Sequence, residues 1–418
     1  MSKVPKLRFP EFEVEWEEKE LGDITKYENG KDHENDISEE GKYIVVNSKF
    51  ISTEGLVKKY SDKAHCLAKK NDILMVLSDV PNGKAISKCF IVKENNCYTV
   101  NQRICVLSPK EGIIANYLFY ILDRNPYFLA FDDGVKQTNL KKEEVLNFNL
   151  SIPADQKEQQ KIADCLSSLD ELIEARKEKI ASLKTYKKGL LQQLFPQDMC
   201  NNYPPHPLIF SKLPKLRFAG FEGEWEEVKL GEIGVFLSSL TGKIKEDFEQ
   251  GNAKYIPYKN VYKNTFVDIR SLEKVNVREE EKQNAVKKGD ILFTISSETP
   301  EEAGMSSVLV DEIKDCYVNS FCSLFRFNSL SDKNIYFYGY LLRHHTIREY
   351  FRKTAQGSTR FNLSKESFKN LSLVVPKLGE QQKIADCLLS LDEKIAAETE
   401  QVAQLQQHKK GLLQQLLV

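Results

Sequence analysis

The nine residues EQQKIADCL occur twice in this chain, from Glu158 to Leu166 and from Glu380 to Leu388, without a substitution. Other segments return in the same order, including PKLRF at Pro5–Phe9 and Pro214–Phe218, and KKGLLQQL at Lys187–Leu194 and Lys409–Leu416. The offset between copies drifts from 209 to 223 residues, which is expected where loops accept insertions. Repetition on this scale predicts two structural copies of one unit rather than a solenoid of short repeats.

Each copy begins with a stretch that mixes strands and helices. Short β-branched and aromatic runs predict strands in the first copy at 43–46, 73–77, 91–92 and 104–107, and in the second at 291–295, 307–310 and 323–327. Apolar periodicity predicts a helix at 113–122 and its counterpart at 334–342. The fold class is therefore mixed α/β, with two α+β domains.

Each copy ends in a long amphipathic helix, roughly 57 Å long at about 1.5 Å per residue. Apolar residues alternate at spacings of four and three without an intervening proline, as in a coiled-coil seam. The seam positions are Ile162, Leu166, Leu169, Ile173, Arg176, Ile180, Leu183, Lys187, Leu190 and Leu194, repeated as Ile384, Leu388, Leu391, Ile395, Glu398, Val402, Leu405, Lys409, Leu412 and Leu416. Two such stripes in one chain can cover each other, and an antiparallel pair with approximate two-fold symmetry is the arrangement we favour.

The sequence thus divides into five segments. We expect a first globular domain at 1–155, a first helix at 156–195, a proline-rich linker at 196–213, a second globular domain at 214–378 and a second helix at 379–418. At the matching seam positions Arg176 and Glu398, the opposite charges either pair and fix the register or reach solvent at the seam edge.

Composition excludes several classes of protein. No apolar run is long enough to cross a bilayer, and the N-terminus lacks a signal-peptide pattern, so we expect a cytoplasmic protein. Nine cysteines without a CxxC pair indicate reduced thiols rather than a zinc site. The net charge is −1, but residues 57–103 hold nine Lys or Arg against four Asp or Glu, and residues 343–369 hold seven against two. These basic stretches leave room for local nucleic-acid contacts.

The repeated motifs resemble those of the DNA-specificity subunit of type I restriction-modification systems. The resemblance covers essentially the whole chain, and it is strongest in the helices that begin with QQKIAD and end with KKGLLQQL. The domain openings PKLRFPEFEVEWEEKELGDI and PKLRFAGFEGEWEEVKLGEI also carry it. The globular domains match only through short segments such as Asp72–Leu74 and Asp290–Leu292.

The resemblance implies a non-catalytic protein with two target-recognition domains, each reading half of a split site in double-stranded DNA. It implies that the helices space the halves and dock two methyltransferase subunits, which motor-nuclease subunits then join. S-adenosylmethionine, ATP and Mg²⁺ would reside on those partners and not on this chain. A rigid spacer that carries two divergent modules agrees with a bipartite target.

Candidate DNA contacts lie in the loop before the last strand of each domain, which reads GVKQTNL in one copy and QGSTRFNL in the other. Gln suits adenine and Arg suits guanine at base edges, whereas lysines suit phosphates. The candidates are Lys136, Gln137, Thr138 and Asn139, with Lys84 and Arg103 nearby, and Ser358, Thr359, Arg360 and Asn362. The alternatives are an ordinary polar turn in which Asn139 and Asn362 cap the next helix, and a solvated surface for any single lysine.

Candidate partner contacts lie where the two helices begin. The identical starts suit two identical partners, and the residues concerned are Gln159, Gln160 and Asp164 with Gln381, Gln382 and Asp386.

Two other functions compete with this interpretation. A stand-alone DNA methyltransferase needs a cofactor loop and an Asn/Asp-Pro-Pro-aromatic motif, but the nearest string, YPPH at Tyr203–His206, has the wrong order and falls in the predicted linker. A coiled-coil scaffold that does not bind DNA would explain the helices but not the two divergent domains.

Overall fold

The computed structural model describes residues 4–81, 83–197 and 212–417. The chain divides into two compact units, of which unit 1 comprises 1–178 and 399–418, and unit 2 comprises 179–398. The boundary thus cuts through both long helices, so each unit contains one globular domain and segments of both helices.

Unit 1 contains eleven strands in its described residues. They are β1 (Trp16–Glu20), β2 (Thr25–Asn29), β3 (Tyr43–Val46), β4 (Tyr60–Ser61), β5 (Ile73–Val76), β6 (Ser78–Asp79), β7 (Cys89–Ile91), β8 (Tyr98–Val100), β9 (Ile104–Pro109), β10 (Thr138–Asn139) and β11 (Asn149–Pro153). The helices that accompany them are α1 (Leu21–Ile24), α2 (Ser48–Ser52), α3 (Ala115–Leu122), α4 (Pro126–Leu129), α5 (Lys142–Leu146) and the long α6 (Gln156–Leu194).

Unit 2 repeats this order of strands. They are β12 (Glu226–Lys229), β13 (Gly234–Leu237), β14 (Phe248–Ile256), β15 (Glu273–Val275), β16 (Ile291–Thr294), β17 (Ser296–Ser297), β18 (Ser306–Val308), β19 (Cys316–Val318), β20 (Cys322–Phe327), β21 (Phe361–Asn362) and β22 (Ser372–Val375). Its helices are α7 (Leu230–Ile233), α8 (Tyr258–Lys263), α9 (Ile335–Leu341), α10 (His345–Thr354), α11 (Lys365–Lys369) and the long α12 (Leu378–Leu416). Short 3₁₀ turns occur at Glu34–Asp36, Lys245–Asp247 and Ile269–Ser271.

The sheets of the two units have the same topology. Each unit has a four-stranded antiparallel sheet, in the order β2-β9-β5-β7 or β13-β20-β16-β18. Each also has a three-stranded sheet in which one pair is parallel, β3 with β8 and β14 with β19. Each unit also has two sheets of two strands. They are β1 with β11 and β6 with β10 in unit 1, and β12 with β22 and β17 with β21 in unit 2. The duplication read from the sequence is therefore a duplication of fold.

The seam predicted for the two long helices agrees with their burial, because all of its twenty positions are buried or half-buried. In unit 1, the Lys409 ammonium lies 2.5 Å from a carboxylate oxygen of Asp170, and Arg176 donates to Gln401. In unit 2, Lys187 lies 2.5 Å from Asp392 and Lys179 lies 2.5 Å from Glu398. Residue numbers rise along one helix as they fall along the other, so the antiparallel pairing is confirmed within each unit.

The end of each long helix completes the core of the domain from the other repeat. Leu190 and Leu194 of α6, with Phe195 directly after it, pack in the core of unit 2 with Trp225 and Phe337. In the same way, Leu416 of α12 is buried in the core of unit 1, where Leu412 and Leu413 pack against it. Burying a large apolar side chain contributes about 1.5–3 kcal/mol, so each repeat supplies part of the stability of the other unit.

Candidate nucleic-acid interface and helix-start surface

A row of polar groups in unit 1 is built from strand ends that neighbour one another. Asn139 pairs with Ser78 across β10 and β6, and the amide of Leu77, the residue before Ser78, donates to the Arg103 carbonyl at 2.9 Å. Asn101 lies in the same turn as Arg103, between β8 and β9, and its amide donates to the carbonyl of Val46 at 3.0 Å. These bonds connect strands that are distant in sequence, and we call the surface formed by Ser78, Asn101, Arg103, Gln137 and Asn139 the polar edge of unit 1.

The loop that carries Lys136 and Gln137 is held in place by two aspartates. Asp132 accepts from the Gly134 amide and the Thr138 hydroxyl, each at 3.0 Å, and Asp133 accepts from the Val135 and Lys136 amides at 2.8 and 3.0 Å. These backbone hydrogen bonds, chiefly that from Lys136, hold the pKa of the Asp133 carboxyl below its usual value. The loop is thus ordered by local contacts, with Lys136 exposed on it.

The candidates in this loop have different roles in the structure. The Gln137 amide donates to the Ser78 hydroxyl at 2.7 Å and to the Asn139 side chain at 3.2 Å, so both of its N–H bonds are engaged. Thr138 is buried and its hydroxyl is bonded to Asp132, which gives it an internal role and removes it from the accessible surface. Lys136 and Asn139 remain exposed, as does Arg103.

A neighbouring turn carries the exposed Lys84. The Asp79 carboxylate accepts from the Val80, Ala85 and Ile86 amides at 2.9, 2.6 and 3.0 Å and so shapes this turn. Asn82, considered with Lys84 from the sequence, lies outside the described residues. An open cleft of about 580 Å³ beside Arg103 is lined by basic and amide side chains, including Lys49, Lys59 and Gln102, together with the acidic Glu34. Sequence reasoning did not single out Lys49 and Lys59.

Unit 2 has the same edge, with different side chains at two of its five positions. Asn362 pairs with Ser296 across β21 and β17, and the Ile295 amide donates to the Phe321 carbonyl at 3.0 Å. The Asn319 amide donates to the Ile256 carbonyl at 3.1 Å, as Asn101 does to Val46. The polar edge of unit 2 is formed by Ser296, Asn319, Phe321, Arg360 and Asn362. Phe321 therefore stands where unit 1 has Arg103, and Arg360 stands where unit 1 has Gln137.

The loop that carries Ser358, Thr359 and Arg360 is a hairpin closed by its own backbone. Gln356 and Asn362 exchange two amide-to-carbonyl bonds at 3.0 and 2.8 Å. Gly357 has a φ of 136°, and a Cβ there would lie 1.8 Å from the Arg360 carbonyl oxygen, so the turn requires glycine. Ser358, Thr359, Arg360 and Asn362 are all exposed.

The structure excludes two roles for polar residues near the edges, of which the first was weighed from the sequence. Asn139 and Asn362 do not cap the next helix, because α5 has its N-cap at Lys141 and α11 has its N-cap at Ser364, whose side chain accepts from the Ser367 amide. The basic residues of α10 do not form one exposed face either. Arg348 donates to the carbonyls of Glu301 and Ala303, and burial lowers its pKa to about 10, while Arg352 is exposed and paired with Glu349.

The two helix starts are anchored by duplicated ion pairs. In unit 1 the guanidinium of Arg8 contacts both carboxylate oxygens of the buried Glu158, at 2.7 and 2.8 Å. Arg217 holds the buried Glu380 in unit 2 with the same two distances. The repeats of PKLRF and of EQQKIADCL therefore bind each other, which accounts for part of their identity.

Among the predicted partner contacts, Gln159 and Gln381 are buried. The Gln159 amide accepts from the Ile114 amide and donates to the carbonyls of Pro153 and Gly112, so its hydrogen bonds are used inside unit 1. Gln381 does the same in unit 2 with Asn334, Pro376 and Asp332. The structure thus gives these two residues a positioning role rather than an accessible surface.

The other four predicted contacts are exposed. Gln160 donates to Asp164 at 2.7 Å, and Gln382 donates to Asp386 at 2.6 Å, in the same geometry. We call their surroundings the helix-start surface, which consists of Gln160, Lys161, Asp164 and Ser168 in α6, and of Gln382, Lys383, Asp386 and Ser390 in α12. The same four residue types are presented twice.

Two further observations concern the part of the chain that the structure describes. Its residues form no cluster of three or more potential metal ligands. None of the described helices is long and apolar enough to span a bilayer.

Two α+β domains, duplicated with their helices and unlike each other at the polar edge, define a class of paired recognition modules. The family of the type I restriction modification DNA specificity domain matches residues 13–185 and 222–407. The chain belongs to this family, and it is a specificity subunit with two recognition domains.

Relatives and a solved structure match this chain, some of them over nearly its whole length. The MjaVIII specificity subunit of Methanocaldococcus jannaschii is 26% identical over 420 residues, covering 98% of this chain and 93% of that protein. The HindI specificity subunit of Haemophilus influenzae is 28% identical over 158 residues, covering 36% of this chain and 34% of that protein. The type I S subunit of M. genitalium shares the fold with a TM-score of 0.60 at 18% identity, covering 99% of both chains.

Proposed function

We propose that the polar edge of each unit reads one half of a bipartite double-stranded DNA target. The observation that carries the proposal is a contrast between two duplicated surfaces. At the polar edges, two of the five corresponding positions hold different side chains, Arg103 against Phe321 and Gln137 against Arg360, whereas the helix-start surfaces hold the same side chains at all four positions. Reading two different half-sites requires polar edges that differ between the units. Binding two copies of one partner requires helix-start surfaces that are the same.

The chemistry of the polar edges suits DNA. Exposed guanidinium and amide groups can bond base edges in the major groove, as Arg103, Asn139, Arg360 and Asn362 would do. Lysines near the edge, including Lys84 and Lys136, would contact phosphates and make affinity dependent on salt. DNA recognition supports a cytoplasmic location beside the chromosome.

We also propose that the helix-start surfaces dock two methyltransferase subunits, which motor-nuclease subunits then join. The chain would supply specificity and no catalysis, and S-adenosylmethionine, ATP and Mg²⁺ would be held by the partners. Support comes from the duplicated pairs Gln160–Asp164 and Gln382–Asp386, since two identical partners require two equivalent surfaces.

The DNA-reading proposal is tested by competition binding of the complex with its methyltransferase. We expect the complex to prefer DNA that carries its methylated site over a scrambled duplex by at least about a thousand-fold at physiological salt. Equal binding to the two duplexes would refute specificity and favour a scaffold that does not read DNA.

The docking proposal is tested by stoichiometry in sedimentation. Asp164→Lys should reduce the complex from two methyltransferase subunits to one, and Asp164→Lys with Asp386→Lys should abolish docking. Asp133→Lys, which also reverses an exposed carboxylate of unit 1 but lies off this surface, is the control and should leave two bound. Two subunits bound to the double variant would place the docking surface elsewhere.

A further inference from the structure

The polar edge of unit 2 presents an exposed aromatic ring at its centre. Phe321 keeps 47% of its surface exposed, although phenylalanine is usually buried. Its main chain is fixed by the 3.0 Å bond from the Ile295 amide, so its position at the edge follows from the sheet. An exposed ring at a fixed position in a polar surface requires an explanation.

Arg360 lies over this ring. Its guanidinium carbon is 5.8 Å from the centre of the Phe321 ring, within the range in which a cation is attracted to an aromatic face. The hairpin closed by Gln356 and Asn362 holds the Arg360 backbone, and Gly357 makes the tight turn possible. The stacked ring and the closed hairpin together limit the freedom of a side chain that otherwise has many rotamers. The planar donor set of Arg360 is thus prepared for a planar acceptor.

Acidic groups share the cleft with this arginine. Phe321 and Arg360 line an open cleft of about 300 Å³ together with Tyr258, Ser297, Glu298 and Glu302. Tyr258 donates to Glu302 at 3.4 Å, and burial together with that carboxylate raises the pKa of the tyrosine. Glu298 is exposed. Two carboxylates repel a phosphate, so the cleft does not suit the DNA backbone, although Arg360 alone would.

We propose that Arg360, positioned by Phe321, reads a guanine in the half-site of unit 2 through its O6 and N7 atoms, while Glu298 accepts from the N4 amino group of a cytosine. A guanine edge offers two acceptors to arginine, and its paired cytosine offers a donor to a carboxylate. The mixed charge of the cleft therefore matches a G·C pair. The inference rests on the proposed function, since it names the base that unit 2 reads.

The same reading is not available at the corresponding place in unit 1. Gln137 occupies the position of Arg360, and both of its N–H bonds are engaged by Ser78 and Asn139. Arg103 occupies the position of Phe321, so the arginine of unit 1 comes from a different strand end. The guanine assignment is thus specific to unit 2.

The test uses the complex with its methyltransferase and a target defined by methylation mapping. Each guanine of the target is replaced in turn by 7-deazaguanine, which pairs normally but lacks the N7 acceptor. One guanine in the half-site of unit 2 should be sensitive, with affinity falling about ten-fold. Inosine at that position, which keeps O6 and N7 and lacks only the minor-groove amino group, should bind like guanine.

Variants link this guanine to the cleft. Arg360→Ala should weaken binding to the target about ten-fold to a hundred-fold, and 7-deazaguanine should then cause no further loss. Phe321→Leu should reduce the effect of 7-deazaguanine without removing sheet packing. Arg352→Ala removes another exposed arginine of unit 2 that is paired with Glu349, and it should retain the full sensitivity.

Three results would overturn the inference while leaving DNA specificity intact. The first is a half-site of unit 2 that contains no guanine. The second is an Arg360→Ala complex that remains as sensitive to 7-deazaguanine as the unchanged complex. The third is a loss of affinity on Arg360→Ala that is equal for target and scrambled DNA. The last would make Arg360 a phosphate contact. Failure of the proposed function is distinct, because the unchanged complex would then show no preference for its target.

Discussion

Units 1 and 2 share a fold strand by strand, and yet they differ where the strands end. At corresponding positions unit 1 has Arg103 and Gln137, whereas unit 2 has Phe321 and Arg360, although the strand pairs beside them are equivalent in the two units. The helix starts show the opposite behaviour, because EQQKIADCL is unchanged between the units. The comparison teaches that the anchored helix start is constrained in both repeats, while the polar edge varies on a constant frame.

The largest expected effect tests whether the end of each long helix stabilises the domain of the other repeat. Leu194→Ala should destabilise unit 2 by about 3 kcal/mol, because it opens a cavity in the core beside Phe195, even though Leu194 belongs to the first repeat. Leu416→Ala should do the same to unit 1. Hydrogen exchange followed by mass spectrometry measures each unit separately. Loss of amide protection only in the domain of the repeat that carries the mutation would contradict this stabilisation of the other domain.

The anchoring ion pairs should have the next largest effect. Glu158→Ala leaves the Arg8 guanidinium without its bidentate partner, and the loss of this charge-assisted hydrogen bonding should cost about 2 kcal/mol in unit 1. Glu380→Ala should cost a similar amount in unit 2 through Arg217. Unfolding of the variants by guanidinium chloride, followed by the fluorescence of Trp16 or Trp225, measures the change in unfolding free energy. Unequal costs would show that the two anchors are not equivalent.

A smaller, matched effect is expected where each domain meets the paired helices. The Tyr120 hydroxyl donates to Asp170 at 2.8 Å beside Lys409, and the Tyr340 hydroxyl donates to Asp392 at 2.7 Å beside Lys187. Tyr120→Phe and Tyr340→Phe keep the rings and remove the hydroxyls, so each should cost about 1 kcal/mol of unfolding free energy. A loss in only one variant would break the equivalence of the units.

The smallest effect distinguishes the two edge loops by pH. Backbone hydrogen bonds lower the pKa of Asp133, so the ionised carboxylate stabilises its loop at pH above about 4, and this stabilisation is lost as pH falls through the lowered pKa. The amide resonances of Val135 and Lys136 should shift in that range, and Asp133→Asn should abolish the shift. The hairpin around Gly357 is closed by backbone groups and should not respond. A response there would contradict the difference between the loops.

Local patterns predicted the frame of this protein well. The seam from Ile162 to Leu194, the strands near Ile73 and Ile291, and the helices near residues 113 and 334 follow from periodicity, and the structure contains all of them. The two-fold repetition was also readable, since matching motifs recur in the same order. These features depend on residues that are close in sequence, so they can be predicted from a single amino-acid sequence.

The candidate site was harder to predict because burial depends on distant residues. Thr138 and Gln159 are polar, and nothing near them in sequence indicates that Thr138 pairs with Asp79 in a strand or that the Gln159 side chain bonds to Gly112 and Ile114. A usable signal did exist for Phe321, since VNQR at 100–103 aligns with VNSF at 318–321 and places Arg103 opposite the phenylalanine. The recurrence of Arg8 with Glu158 and of Arg217 with Glu380 was likewise visible as two repeated motifs.

Base preference, measured for each half of the target in turn, tests the central claim most directly. The complex with its methyltransferase is assembled with Arg103→Ala or with Arg360→Ala, and bound sequences are selected from randomised DNA. We expect each variant to relax preference in one half-site only, and the two variants to affect opposite halves. If either variant altered both halves equally, or if both altered the same half, the polar edges would not be two separate reading surfaces.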